Sequence, residues 1–152
     1  MNTGPMILYA PPFEHLMTGV LRLPLARLSA VLLDGRYVPD MSQHDRYSHI
    51  TPYELSGGDY GPVAVAGVRV EPVPGGAAFF TDPIIWGDPV DLPPARFLAL
   101  LMSLPGKPKA EDALFGLVDL SPAGGAVEAQ RGAFGVSPPT GGWFTLTAQP
   151  NS

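Results

Sequence analysis

Val63-Ala-Val-Ala-Gly-Val-Arg-Val-Glu71 carries the clearest strand signal in the chain. Val63 and Val65 share one face of an extended strand, because successive side chains alternate. Val68 and Val70 follow the other phase, so the alternation slips by one residue at Ala66-Gly67. A bulge or kink at glycine produces such a slip. The stretch points to a β-rich fold whose strands bend where glycine permits it.

Downstream, Pro74-Gly-Gly reads as a turn and residues 77–81 as the next strand. Ile84-Ile85-Trp86 is a short apolar strand bracketed by Pro83 and Gly87. Residues 95–103 (ARFLALLMS) fit a helix or a doubly buried strand, since apolar residues surround the segment without a polar face. Proline-rich breaks on both sides favour the strand. Residues 114–120, 132–136 and 143–147 complete the series. In the last, Phe144 and Leu146 point one way and Trp143, Thr145 and Thr147 the other, so one face is expected to be wet.

Upstream, Tyr53-Glu-Leu-Ser reads as a short edge strand ended by Gly57-Gly58. Ser29-Ala-Val-Leu-Leu reads as a buried strand, with Asp34-Gly35 as its turn. Residues 36–50 are the most polar part of the chain and read as a long loop, with one helical turn around Ser42 to Tyr47. Residues 12–21 are the best helix candidate. Phe13, Leu16, Met17 and Val20 form an apolar stripe at helical spacing, and Pro12 suits a first turn. The stripe is expected to pack across an open side of the sheet. The expected architecture is a single mainly-β domain over residues 1–152, with a loose tail after residue 148. It is an antiparallel β-sandwich or small barrel of about eight short strands with one short N-terminal helix.

Composition agrees and narrows the function. Eighteen glycines and 19 prolines punctuate apolar runs, which suits short strands and turns. Proline costs about 3 kcal/mol in a helix interior, so long helices are disfavoured. Charged residues are only 15% of the chain, against roughly 25% in an average soluble domain. So little charge implies much neutral surface, part of it covered by neighbours. The net charge is −5, and Lys107 and Lys109 are the nearest approach to a basic cluster. Direct binding to nucleic acid, which needs clustered cations, is not expected. The opening MNTGPMILYAPP lacks a basic, then apolar, export signal, and no apolar run is long enough for a membrane helix. With no cysteine, disulfides, thiol nucleophiles and thiolate metal sites are excluded.

Motifs of catalysis are missing as well. There is no Gly-x-Ser-x-Gly nucleophile turn and no phosphate-cradling glycine fingerprint. Asp34, Asp40, His44, Asp45 and His49 are the densest titratable set, and could gather a metal or pair as acid and base. The five-residue spacing of His44 and His49 suits neither one strand face nor adjacent helical turns, so a solvated loop is the expectation. Asp82, Asp88 and Asp91 flank Trp86, a mixture of ring and carboxylates that a carbohydrate site uses. Asp-Pro pairs are also routine turn starters.

Taken in order, several features run through most of the domain. They are Leu8-Tyr9 with Phe13 and Leu16, residues 28–34 with Tyr37, Pro39 and Asp40, His44, and Tyr53-Glu-Leu-Ser-Gly with Tyr60. They continue with the Val63 to Val70 stretch, Phe79, Trp86, Ala95-Arg96-Phe97 and Gly116-Leu-Val-Asp-Leu. In this order and spacing the chain resembles small tailed-phage virion proteins of the decoration or fibre-associated type. It has Gly61-Pro62 where those proteins carry Gly-Gly or Gly-Tyr. The resemblance implies a β-sandwich virion part without catalytic residues or cofactor, present in the virion and, during assembly, in the host cytoplasm. Its partners would be major capsid or tail proteins and copies of itself. Tyr37, His44, Tyr47, Tyr53, Tyr60 and Trp86 are the candidate contact residues. The alternative is a carbohydrate- or receptor-binding module of a phage tail, with Trp86, Asp82, Asp88 and Tyr47 as a shallow glycan site.

Overall fold

The computed structural model describes residues 5–19, 21–103 and 106–148. In chain order its regular elements are β1 (Met6–Leu8), α1 (Ala10–Met17), β2 (Leu28–Leu33), β3 (Val63–Ala64), β4 (Arg69–Val73) and β5 (Gly76–Phe80). Then follow β6 (Ile84–Ala95), β7 (Phe97–Met102), β8 (Ala113–Asp119), β9 (Val127–Val136) and β10 (Phe144–Thr147). Every strand pairing is antiparallel. The strands form a five-stranded sheet in the order β1-β8-β7-β2-β3, a three-stranded sheet β10-β5-β4 and a two-stranded ribbon β6-β9. The sheets stack as a sandwich and close no barrel. None of the helices is long and apolar enough to cross a membrane. The expected loose tail, residues 149–152, lies outside the described residues.

The decisive stretch is two strands instead of one bent strand. β3 pairs with β2 in the five-stranded sheet, whereas β4 pairs with β5 in the three-stranded sheet. The phase slip at Ala66-Gly67 is the corner where the chain changes sheets. Backbone bonds hold both sides of it, Val65 N–H to Leu28 O at 3.1 Å and Asp82 N–H to Ala66 O at 2.9 Å. Gly67 takes φ +68°, and a Cβ there would stand 2.3 Å from the Asp82 carboxyl group. The left-handed angle is what favours glycine here, since the exposed Asp82 carboxyl group can turn aside.

The centre of the five-stranded sheet accounts for the unbroken apolar runs. β2, β7 and β8 are covered on both faces, so nearly every residue in them is buried. This settles residues 97–102 as the doubly buried strand. Leu28, Ala30, Leu32, Leu98 and Leu100 point inward, where they meet Phe79, Ile84, Val90, Phe134 and Trp143 from the other sheets. Removing such side chains from water is worth roughly 1.5–3 kcal/mol each. Trp143 is 1% exposed, and its indole N–H is satisfied by Thr81 Oγ1 at 2.9 Å. Leu100 pairs with Gly116 but Leu101 with Leu114, leaving Phe115 as an extra, bulged residue. The bulge turns Phe115 and Val118 inward while Leu114 and Leu117 face outward.

Other expectations change. α1 packs only part of its expected stripe: Leu16 is half-buried against the core, while Phe13 is 50% and Met17 88% exposed. Pro12, buried, lies one helical turn from Leu16 on the packed side. Tyr9, just before the helix, is fully buried. Val20 lies outside the described residues. Tyr53-Glu-Leu-Ser is no strand: Thr51–Tyr53 is a 3-10 turn, with proline at its start, and only Glu54 bridges to Leu33. Nor does the strand from Ile84 stop at Gly87. β6 runs on through Pro89, Pro93 and Pro94, with its register against β9 shifting four times. A strand paired on one side only can place the missing N–H groups of proline on its free side.

Candidate functional site

Four of the expected contact residues, Tyr37, His44, Tyr47 and Tyr53, gather over the outer face of the five-stranded sheet, whereas Tyr60 and Trp86 pack against the inner core. Val31, Leu33, Ala99, Leu101, Leu114 and Leu117 form that face. Residues 36–53 lie across it as a cover, with Tyr37 and Ile50 buried against the sheet beside Tyr9. The polar loop is solvent-exposed along most of its length, as expected, but Tyr37 and Ile50 anchor it to the sheet. Its helical turn falls at Tyr47–His49, later than the sequence suggested, with Thr51–Tyr53 as a second turn. Tyr47 N–H to Asp112 O (2.9 Å) and Ser48 N–H to Ala110 O (3.0 Å) tie it to the segment entering β8.

Two hydrogen-bonded groups hold the cover in place. In the first, the Tyr9 and Tyr37 hydroxyls are 2.9 Å apart, and the Tyr37 hydroxyl is 2.9 Å from His44 Nδ1. The Tyr37 ring is wedged among His44, Tyr53 and Phe97 at centroid distances of 5.4–5.7 Å. Burial pushes the hydroxyls of both Tyr9 and Tyr37 above the ordinary tyrosine range. In the second, Tyr47 and Tyr60 donate to the two carboxylate oxygens of Glu54. Tyr60 also accepts from the Leu32 N–H at 3.2 Å. Burial, together with the adjoining Glu54 carboxylate, raises the pKa of both tyrosines.

Trp86 stands next to the second group. Its indole N–H donates to Gly61 O at 3.0 Å, and its ring meets Phe134 edge-on at 6.0 Å. Of the six sequence-chosen residues, Tyr37 is turned wholly inward at 2% exposure, and the other five are half-buried. Tyr9 and Glu54, which complete the two groups, were missed. Neither carries a local pattern, since their partners are 28 residues away in one case and seven and six in the other.

The carboxylates serve the loop itself. Asp40 Oδ1 accepts from Ser42 Oγ at 2.8 Å and from the N–H groups of Ser42 and Gln43. These bonds, with His44 nearby, hold its carboxyl below the usual range. At Asp34, burial pushes the other way, but hydrogen bonds from the Arg36 side chain and backbone prevail and lower the pKa. Arg36 is held in turn by Pro52 O at 3.0 Å. Beside it lies an open cleft of about 450 Å³ lined by Asp34, Arg36, Glu54, Leu55, Pro93 and Pro94.

His44 and His49 each engage Nδ1 within the cover, His44 with Tyr37 and His49 with the Asp45 N–H at 3.1 Å. Among the described residues no group of three His, Asp or Glu side chains is placed to hold a metal. Of the glycan constellation, the two rings are engaged internally, while Asp82 and Asp88 are exposed. Tyr47 is bonded to Glu54, Trp86 to Gly61, and Asp82 lies 3.5 Å from Arg69. What the arrangement does chemically is fasten irregular chain over an apolar sheet face. Comparison with known proteins finds no matching family model, no matching curated protein and no matching solved structure.

Proposed function

We propose that this chain is a non-catalytic structural protein that works in many copies, as a capsid decoration or tail/fibre-associated component of a phage virion. Its partners in this reading are other virion proteins and further copies of itself. The observation that carries it is β10. This strand ends the three-stranded sheet and consists of Phe144, Thr145, Leu146 and Thr147, with no charge and no proline. Leu146 is 54% exposed.

The other sheet ends are guarded. β4, at the opposite end of the same sheet, carries Arg69, Glu71 and Pro72, and β3 is two residues long. β1 is three residues long and sends its Met6 N–H to Trp143 O. In the ribbon, β6 has three prolines and two aspartates, and β9 has Glu128 and Arg131. Charge, proline and shortness are the usual means of keeping sheet ends apart. The absence of charge and proline from β10 suits a strand that receives a neighbour. Exposed Met17, Leu25, Val38 and Ile85 add apolar contact points elsewhere. The resemblance in motif order to tailed-phage virion proteins favours a particle as the place of assembly.

Light scattering across a concentration series tests the self-contact. The wild type is expected to associate, and Leu146→Lys to shift the population to monomer with an unchanged melting temperature. A wild type that stays monomeric at every concentration overturns contact between copies. Mass spectrometry of purified particles tests the virion role, which fails if the chain is missing from intact particles.

A further inference from the structure

We propose that residues 36–50 form a pH-sensitive latch, closed over the outer sheet face while His44 is neutral and loosened when His44 takes a proton. The number of hydrogens in one buried group decides between the two states. Tyr9, Tyr37 and His44 Nδ1 are joined by two links, each 2.9 Å long. Each link accommodates one hydrogen. With His44 neutral and its hydrogen on Nε2, the two hydroxyl hydrogens fill the two links, running from Tyr9 to Tyr37 to Nδ1. Protonation places a third hydrogen on Nδ1, which must then donate to Tyr37. One hydroxyl hydrogen is left without an acceptor.

The orphan has little access to water, since Tyr9 is 0% and Tyr37 2% exposed. Among the described residues, the Tyr9 hydroxyl has no other hydrogen-bond partner. An unmet buried donor strongly disfavours the arrangement that creates it. Opening the cover relieves it by letting water in. Histidine is the side chain whose charge ordinarily changes between about pH 5 and 8, so the sign follows. The latch holds while His44 is neutral and loosens as falling pH protonates it.

The charged groups around His44 do not alter the count. Asp40 accepts the His44 N–H at its backbone oxygen at 2.8 Å, and Asp45 follows His44 in the chain. Glu14 of α1 lines a groove shared with Asp45. The His49 ring lies 5.9 Å from that of His44, and Arg46 is paired with Asp45 at 3.2 Å. His49 Nδ1 accepts the Asp45 N–H at 3.1 Å and stands 3.3 Å from Asp45 Oδ1.

Hydrogen exchange at about pH 7.5 and 5.5, corrected for intrinsic rates, tests the latch. Amides of residues 36–50 in the wild type are expected to open on the order of tenfold more often at the lower pH, while those of β7 stay protected. His44→Asn keeps an oxygen acceptor near the Nδ1 position but does not titrate, so its pH step should vanish. His49→Asn should retain the step. A flat wild-type profile, a step that survives His44→Asn, or one abolished by His49→Asn overturns the proposal. Nitrogen-15 NMR of the wild type at neutral pH is the second measurement, independent of any variant. It should find the His44 hydrogen on Nε2, and finding it on Nδ1 also overturns the latch.

Discussion

On its inner face the five-stranded sheet meets other strands; on its outer face it meets irregular chain. Both faces are dry, with Leu28, Leu98 and Leu100 on one side and Val31, Leu33 and Leu101 on the other at 0% exposure. The inner face is sealed by apolar side chains from all three sheets, including Phe79, Phe134 and Trp143. The outer face is sealed by a segment rich in Asp, His, Arg and Tyr, whose few buried side chains must be pinned by hydroxyl and carboxylate bonds. Regular strands satisfy their own backbone groups through the ladder, so only packing remains to be optimised. An irregular cover has no ladder, so its side chains supply the fastening. Packing contacts are indifferent to pH, whereas a fastening built from tyrosine, histidine and glutamate is not.

The contrast can be broken most forcefully from the inside. Phe115 lies against Phe79 at 5.4 Å and Phe144 at 6.2 Å, bulged into the inner core. Phe115→Ala is expected to cost about 3–5 kcal/mol of global stability, read as a lower urea midpoint with a single transition. On the outer face, Ile50 is equally buried but belongs to the cover. Ile50→Ala should cost about 2–3 kcal/mol, because irregular chain can settle partly into the space left. Hydrogen exchange should place that loss mainly in residues 36–53, and a uniform loss across β2, β7 and β8 would erase the distinction between the faces. Smallest is Tyr47→Phe, which removes one of the two tyrosine bonds to Glu54 and leaves Tyr60 in place. About 1 kcal/mol is expected, again confined to the cover.

The same contrast explains what could be read in advance. β2, β5, β7, β8 and β10 were legible because a strand between two apolar layers, or at the margin of one, writes its environment into consecutive residues. The cover was not. Tyr37 and Ile50 are single apolar or amphipathic residues in a polar stretch, and nothing local distinguishes a tyrosine lying on a sheet from one facing water. The helix stripe misled for a related reason. Periodicity grouped Phe13, Leu16 and Met17 into one stripe, but of these three only Leu16 packs against the core. β6 was truncated because proline and Asp-Pro signal turns wherever both strand edges are engaged, a condition that a ribbon strand escapes.

Composition and local pattern by themselves determined that this protein is built from short antiparallel strands interrupted by glycine and proline, since backbone freedom and side-chain alternation are properties of neighbouring residues. The phase slip at Ala66-Gly67 was visible in the same way. Only the tertiary structure decided that the slip is a crossing between sheets, that polar residues 36–53 seal an apolar face, and that Tyr9, Tyr37 and His44 share two hydrogen bonds. Those outcomes depend on groups far apart in the chain, and their energies exist only once the fold has brought the partners within reach.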